Sequence, residues 1–361
     1  MARPAVAEIN LDNVRANFQL AASMAPNGKT IAVVKADAYG HGAAEVAACL
    51  AQDTEVFAVA CIEEAMALRA SGLRHPILLL EGFFESSELE VISREGFWTA
   101  VHRQDQVDAL AQSSMPSPVN VWLKVDTGMH RLGFSPEHAA KVYGELKRLS
   151  QVNNLVVMTH LANADGCSTQ GVSVEAQVSR LPAPLLAPEV ELSLANSAGI
   201  LAHEVVRAHW QRPGIMLYGA SPLAKENSFS EQLCPVMTLK SKVIAVRWVG
   251  QSAGVGYGGR FVAERPTRVG TVAMGYADGY PRQAVEGTPM LVNGQRTRLI
   301  GRVSMDMLMV DLTNLPEAGV GSDVEFWGES LPANEVAAYC DTIAYHLFTG
   351  ITQRVPRMYV N

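Results

Sequence analysis

The chain has 361 residues and a formal net charge of −7, from 29 Lys and Arg against 36 Asp and Glu. A single hydrophobic core rarely extends beyond about 250–300 residues, so we expect two domains. Apolar residues make up 48% of the chain, which excludes a disordered protein, and the acidic balance argues against nucleic acid as a partner.

The first two-thirds of the chain alternates short apolar runs with helical segments. Asp12 is placed to cap the first helix, Gly72 to end a later one, and Ser135 with Pro136 to start another. Strands are predicted at TIAVVK, EVFAVA, PILLL, WTAVH, VNVWLKV, NLVVMTH, EVELSLA and the region up to GIMLYG. Eight such units in about 220 residues predict an α/β fold, a (β/α)₈ barrel of the TIM type. A doubly wound open sheet is the alternative.

After about residue 230 the pattern becomes mainly β. Strand-like runs follow one another, Asn293-Gly294 between two of them is typical of a hairpin turn, and one helix is expected near NEVAAYC. We therefore predict three parts: an N-terminal strand at 1–8 that joins the second domain, a barrel at 9–231, and a C-terminal mainly-β domain at 232–361.

Several classes of protein are disfavoured by what the sequence lacks. Its five cysteines show no CxxC spacing and there is no HExxH, so we expect reduced thiols and no metal. No apolar run reaches the ~18–20 residues that span a bilayer, so no membrane partner is expected. The N-terminal residues MARPAVAEINLDNVRANF carry Asp, Glu and Asn where a signal peptide needs an apolar core. We expect a cytoplasmic protein.

Polar residues end or follow the predicted barrel strands, which is where such barrels carry their active sites. Each of them alone has an ordinary explanation as a surface, turn or packing residue. Together they predict one polar cavity. They are Lys35, Lys124, Arg131, His160, Asn196, Ser197, Arg212 and Gly214.

The residue types at these positions point to a cofactor. A desolvated lysine such as Lys35 is nucleophilic toward an aldehyde. The loops after the seventh and eighth strands, with Ser197 and Gly214, are where barrels often bind phosphate. An aldehyde and a phosphate together suggest pyridoxal phosphate. Arg212 would then face the pyridine nitrogen, to which a guanidinium can only donate.

The segment GVGYGG formally satisfies GxGxxG, with Asp278 about twenty residues later. We interpret it as a chance match, because strand-like sequence follows where a dinucleotide fingerprint must open a helix. A glycine-rich loop that presents Tyr257 is the better interpretation. Three further residues of the same half are core, turn or packing residues by default. They are Tyr276 in a turn-rich segment, Met305 between two strands, and Tyr345 in the last segment of the chain.

These segments resemble those of the alanine racemases, fold type III pyridoxal-phosphate enzymes. The motifs occur in family order over nearly the whole chain, as AVVKADAYGHG, WLKVDTGMHRLGF, MTHLANAD, LANSAG, RPGIMLYG, GVGYGGRF, GYADGYPR, GRVSMDM and RVPRMY. The resemblance implies interconversion of L- and D-alanine, either to supply peptidoglycan or in alanine catabolism. It also implies a homodimer in which the partner's C-terminal domain completes each site.

The resemblance further implies a role for each matched residue. Lys35 would bind pyridoxal phosphate and act as one catalytic base, with Tyr257 of the partner subunit as the other. Arg212 would face the pyridine nitrogen, with His160 stacked on the ring. The remaining expected contacts are Tyr39, Ser197, Gly214, Ile215 and Tyr345 for the phosphate, Arg131 and Met305 for the substrate carboxylate, Tyr276 in the access channel, and Lys124 as a carbamylated lysine that orients Arg131.

Other functions of the same fold remain to be separated. A broad-specificity or serine racemase shares the catalytic pair. The chain also departs from the family pattern at two positions that bear on substrate preference: Gly199 stands where alanine is frequent, and His346 where glutamate is common. A barrel-fold decarboxylase generally has Glu at the pyridine nitrogen, which Arg212 disfavours. A pyridoxal-phosphate carrier of this barrel class lacks the β domain, so Tyr257 counts against that function.

Overall fold

The computed structural model describes residues 3–166 and 171–361; Cys167 lies outside them. The first part is the expected barrel of parallel strands. Its first strand is split into two short pieces on either side of Ile31, and seven strands follow. Strand β1 (Val6–Asn10) comes first in the chain and lies outside the barrel. The barrel strands are β2 (Lys29–Thr30), β3 (Ala32–Val33), β4 (Phe57–Val59), β5 (Ile77–Leu79), β6 (Trp98–Val101), β7 (Val119–Lys124), β8 (Val152–Met158), β9 (Glu191–Ser193) and β10 (Trp210–Gln211).

The order of pairing closes the barrel. Strands β3 to β9 form one sheet in chain order. The eighth strand, β10, returns to pair in parallel with β2, and a single bridge between Asn196 and Arg212 joins it to the end of β9. The prediction of a (β/α)₈ barrel rather than an open sheet is therefore confirmed.

Helical segments alternate with these strands. They are α1 (Leu11–Ser23), α2 (Lys35–Gly40), α3 (Ala43–Leu50), α4 (Ile62–Ala70), α5 (Glu88–Glu95), α6 (Gln104–Gln112), α7 (Pro136–Leu146), α8 (Val174–Ser179) and α9 (Ser197–Ala202). One of them, α2, has left-handed backbone angles over residues 36–39. Strand side chains such as Phe57 and Trp122 are fully buried. Because the strands are buried on both faces, they are read in the sequence as continuous apolar runs.

The second part is a mainly antiparallel β structure. Its strands are β11 (Met237–Val249), β12 (Gly254–Val255), β13 (Phe261–Val262), β14 (Thr267–Val272), β15 (Pro289–Val292), β16 (Gln295–Ile300), β17 (Leu308–Asp311), β18 (Asp323–Trp327) and β19 (Arg357–Val360), with helices α10 (Ala333–Tyr339) and α11 (Ala344–Gly350). Strand β1 belongs to this sheet, since it pairs with β11 and β19. The hairpin turn at Asn293-Gly294 joins β15 to β16 as predicted, with φ of 48° and 75°.

Three local predictions are wrong. Asn10, not Asp12, caps α1, because its side chain accepts from the N–H of Asn13 at 3.0 Å. The eighth strand ends at Gln211, and the apolar run that follows it is a 3₁₀-helix at Ile215–Tyr218. Two helices, not one, follow β18, since α11 comes after α10. Within residues 3–166 and 171–361, no helix is long and apolar enough to cross a membrane.

Candidate active site

The carboxyl ends of the barrel strands open into one cavity of about 610 Å³, within the range of small-molecule sites. It contains ten of the thirteen residues to which the family resemblance assigns a role. These are Lys35, Tyr39, Lys124, Arg131, His160, Ser197, Arg212, Gly214, Ile215 and Tyr345. Nine of them come together because they end or follow five strands of the same parallel barrel, β3, β7, β8, β9 and β10. The tenth, Tyr345, lies on α11.

Lys35 is followed by an unusual backbone. Residues 36–39 all have left-handed helical angles, with φ between 51° and 55°. None of these four residues is a glycine, and for other residues this conformation costs roughly 1–2 kcal/mol each. Such strain persists only where the surroundings hold it in place, and it is concentrated at functional sites. The turn lies between the first barrel strand and α3 and carries both Lys35 and Tyr39.

One corner of the cavity brings together the hydroxyls of Ser197 and Tyr39. The hydroxyl of Ser197 accepts a hydrogen bond from the N–H of Gly214 at 2.8 Å, which joins the loops after β9 and β10. A side chain at Gly214 would meet the hydroxyl oxygen of Tyr39 at 2.4 Å from its Cβ. Glycine therefore allows the Tyr39 hydroxyl to lie directly against the backbone of this loop.

Tyr39 belongs to a cluster of aromatic rings. It stacks on Tyr218 with ring centroids 4.8 Å apart, and its ring centroid lies 5.9 Å from that of Tyr345. Burial raises the pKa of Tyr39 to about 12 and raises the pKa of Tyr345 above its ordinary value. Both phenols therefore keep their protons near neutral pH and can act as hydrogen-bond donors.

Arg212 crosses the base of the cavity. Its guanidinium donates to the carbonyl of Thr159 at 2.6 Å and to the carbonyl of Ser193 at 2.7 Å. Burial lowers the pKa of Arg212 to about 10, so the group remains a cation near neutral pH. Both acceptors are neutral carbonyl groups, so neither contact balances the positive charge of the guanidinium.

His160 lies among cations. Burial and the charges of Arg212 and Arg131 lower the pKa of His160 to about 3. The ring is therefore neutral at physiological pH, with one nitrogen free to accept a hydrogen bond. A neutral imidazole beside a permanent guanidinium avoids a second positive charge in the same place.

The cavity as a whole is strongly positive. Among its described lining residues, Lys35, Lys124, Arg131 and Arg212 face one carboxylate, Glu81. Burial, Arg212 and Arg131 together lower the pKa of Lys124 to about 8. A cavity of this charge favours a small anion, such as a phosphate ester or an amino-acid carboxylate.

The remaining three predicted residues lie outside this cavity. Tyr257, Tyr276 and Met305 are on the second domain, and their exposed fractions are 71%, 38% and 53%. Tyr257 follows β12 in a short turn beside β13. The chain therefore brings ten residues to its own cavity and presents the other three on its surface.

Two residues near the site were missed by the sequence analysis. Glu81 follows the end of β5, so the same strand-end rule that found Lys124 could have found it. The other is His41, to which the sequence analysis assigns no role and which is fully buried. Its Nδ1 lies 3.0 Å from the carbonyl oxygens of both Ala38 and Tyr39.

Known proteins match this chain over both of its parts. A family profile described as "Alanine racemase, N-terminal domain" matches residues 9–222, and "Alanine racemase, C-terminal domain" matches residues 236–359. The chain is 51% identical to an alanine racemase of Chromohalobacter salexigens, with 100% of this chain and 99% of that protein covered. It is 50% identical to a catabolic alanine racemase of Pseudomonas putida, with 99% of both covered.

Solved structures have the same fold. A biosynthetic alanine racemase from Pseudomonas aeruginosa superposes with a TM-score of 0.95 at 46% identity, covering 99% of this chain and 100% of the other. An alanine racemase from Bartonella henselae with covalently bound pyridoxal phosphate superposes with a TM-score of 0.87 at 29% identity, covering 99% of each.

Proposed function

The chain belongs to the alanine racemase family, and we propose that it interconverts L- and D-alanine at the cavity lined by Lys35. The observation that supports this most is the convergence of Lys35, Arg212, Ser197 and Gly214 in one positively charged cavity. A lysine amine, an anion-binding corner and a fixed guanidinium are the groups that this reaction needs. They come from separate strand ends and meet only because the barrel closes.

The residues fit pyridoxal phosphate. The corner made by Ser197, Gly214 and Tyr39 places the hydroxyls of Ser197 and Tyr39 next to the backbone of Gly214, and both hydroxyls could donate to a phosphate. Lys35 lines the same cavity and would form the covalent link. Arg212, fixed by two carbonyls, would donate to the pyridine nitrogen and leave that nitrogen unprotonated. When bound, the cofactor would supply the electron sink that makes the Cα–H of the amino acid acidic.

Two bases on opposite faces of the substrate would carry the proton in both directions. The amine of Lys35 would remove or return the Cα proton on one face. The phenol of Tyr257 would do the same on the other face. Arg131 and Met305 would hold the substrate carboxylate, and Tyr276 would line the access channel.

We further propose that the second base comes from another copy of the chain. Tyr257, Tyr276 and Met305 are exposed and lie outside the cavity of their own chain. Large apolar side chains exposed together on one domain mark an interaction surface. A homodimer would cover this surface and complete two sites at once.

We also infer the cellular compartment and the domain boundaries. We place the chain in the cytoplasm, since the four cysteines of the described residues, Cys49, Cys61, Cys234 and Cys340, are free thiols. We infer a barrel at 9–231 and a β domain at 232–361. The N-terminal segment 1–8 joins the latter, which the pairing of β1 with β11 and β19 supports.

A conversion assay tests the function. Purified protein with pyridoxal phosphate should convert D-alanine to L-alanine and the reverse, with an equilibrium ratio of one. A panel with serine and basic amino acids, including a decarboxylation readout, separates the alternatives. Faster racemisation of serine than of alanine would make the chain a serine or broad-specificity racemase. Carbon dioxide release from lysine or arginine without racemisation would make it a decarboxylase.

A further inference from the structure

The left-handed turn after Lys35 is held by a contact from outside the turn. The carboxylate of Glu64, on α4, accepts the N–H of Ala36 at 2.7 Å through one oxygen. Its other oxygen accepts the N–H of Ala60 at 2.7 Å. Ala60 directly follows β4, the strand beside the one that leads to Lys35. One side chain therefore ties the start of the turn to the neighbouring barrel strand.

The far end of the turn is anchored separately. The ring of His41 lies with Nδ1 at 3.0 Å from the carbonyls of Ala38 and Tyr39, and carbonyls can only accept, so Nδ1 carries the proton. The carboxylate of Asp37 accepts the N–H of Ala43 at 2.7 Å. These contacts fix where the turn ends. At its beginning the N–H of Ala38 donates to the carbonyl of Val34 at 2.8 Å, and the side-chain contact next to Lys35 is that of Glu64.

We propose that Glu64 is a positioning residue for Lys35, because its carboxylate holds the first strained residue of the turn and so sets the position of the lysine amine. This inference rests on the proposed function of Lys35. Glu64 is not among the residues that line the cavity. It acts through the backbone of Ala36, the residue next to Lys35.

The contact requires a carboxylate rather than an amide. Both groups that face Glu64 are N–H donors, so two acceptor oxygens are needed. A glutamine places an NH₂ against one of the two donors and leaves that donor without an acceptor. Glu64→Gln therefore breaks one half of the bridge with almost no change in shape.

The chain offers a matched control. Glu63 is the preceding residue in the first turn of the same helix and is also acidic, but it is exposed. Glu63→Gln removes the same charge from the same helix end without touching Ala36. Any effect of net charge or of the helix dipole is shared by the two variants.

The first measurement is amide hydrogen exchange of the full chain without and with pyridoxal phosphate. In Glu64→Gln, exchange at residues 36–40 should rise about tenfold, as expected for losing a charge-assisted hydrogen bond. Exchange in α3 and β4 should stay at the wild-type rate, and Glu63→Gln should match the wild type throughout. An equal rise across the chain would show a general loosening and would overturn the positioning role.

The second measurement is cofactor binding and turnover. Glu64→Gln should bind pyridoxal phosphate about tenfold more weakly and lose kcat for alanine with KM within about twofold of wild type. Adding Ala36→Gly should restore part of the affinity, because glycine adopts the left-handed conformation without the Cβ penalty. Binding and kcat equal to those of Glu63→Gln would overturn the inference. A wild-type chain that neither binds the cofactor nor racemises would instead overturn the proposed function.

Discussion

The hydroxyl of Ser197 accepts the N–H of Gly214 at 2.8 Å, and this single hydrogen bond joins the loops that follow the seventh and eighth barrel strands. Both residues are buried. The two loops therefore form one continuous surface, with Tyr39 lying against Gly214 from the first strand's loop. In the proposed function this surface would hold the phosphate of the cofactor.

Gly214→Ala should weaken pyridoxal-phosphate binding by about tenfold while the chain stays folded. The added Cβ would lie 2.4 Å from the Tyr39 hydroxyl, so the tyrosine must move out of the phosphate corner. Titration of the cofactor-free chain, followed by absorbance, measures the affinity. Gly144→Ala, at a position on α7 with nothing within 4 Å, is the control. Equal affinity in the two variants would contradict this view of the corner.

Lys35→Ala should abolish the covalent link to the cofactor and the racemase activity together. The wild-type protein should be yellow, with absorbance near ~420 nm, and borohydride should fix the cofactor on the peptide that contains Lys35. Lys141→Ala, at an exposed lysine on α7, should change neither property. Full activity of Lys35→Ala without an added amine would show that another group performs the chemistry.

The buried His41 should make the protein sensitive to acid. Burial lowers the pKa of His41 to about 3, whereas a free histidine titrates near 6.5. Between these values the unfolded chain binds a proton that the folded chain does not, so stability falls as pH drops from about 6.5 towards 3.

Proton uptake on unfolding measures this directly. At pH 5, His41→Asn should take up about one proton fewer per chain than wild type. His138→Asn, a change at an exposed ring, should match wild type. Uptake that is identical in all three proteins would mean that His41 is protonated in the folded chain.

Strand-end residues such as Lys124 and His160 were found from the sequence alone, because parallel strands of a closed barrel carry their carboxyl ends to one place. Tyr345 was assigned only through the family resemblance, since the helix that carries it, α11, was not predicted. The left-handed turn was not predictable. Alanine has no preference for that conformation, and the carboxylate that accepts the N–H of Ala36 comes from Glu64, on a later helix.

The exposed residues show a second limit of prediction from sequence. No periodicity in the sequence indicates that Tyr257 lies on the surface of the chain, and its catalytic role stays a prediction. Within one chain the structure keeps Tyr257 apart from the cavity of Lys35. A residue that completes a site across an interface cannot be found from the packing of a single chain.

Lys124 should be carbamylated. Burial, Arg212 and Arg131 lower the pKa of Lys124 to about 8, so much of this amine is neutral near pH 8 and can add CO₂ with release of one proton. The carbamate is an anion and would attract the two arginines that the ammonium repels. Carbamylation should rise with pH from about 7 to 9 at constant CO₂ pressure.

A ¹³C NMR signal after exposure to ¹³CO₂ reports the modification, and Lys124→Ala should lack it. Removing CO₂ should raise KM for alanine in the wild type, because Arg131 loses the group that orients it, and restored CO₂ should reverse the change. Electron density for an unmodified ammonium pointing at a carboxylate would contradict the prediction.

The last prediction links assembly to chemistry. If Tyr257 serves the cavity of the other subunit, Lys35→Ala and Tyr257→Phe inactivate different sites in a mixed dimer. One site would carry both defects and the other would carry neither. Random exchange of equal amounts gives about half the dimers mixed, each with one intact site of two, so roughly a quarter of wild-type activity should return. Native mass spectrometry confirms exchange, and each variant incubated alone is the control. If mixed dimers form and activity stays at the level of the separate variants, both bases must come from one chain. The exposed position of Tyr257 would then need a rearrangement within that chain.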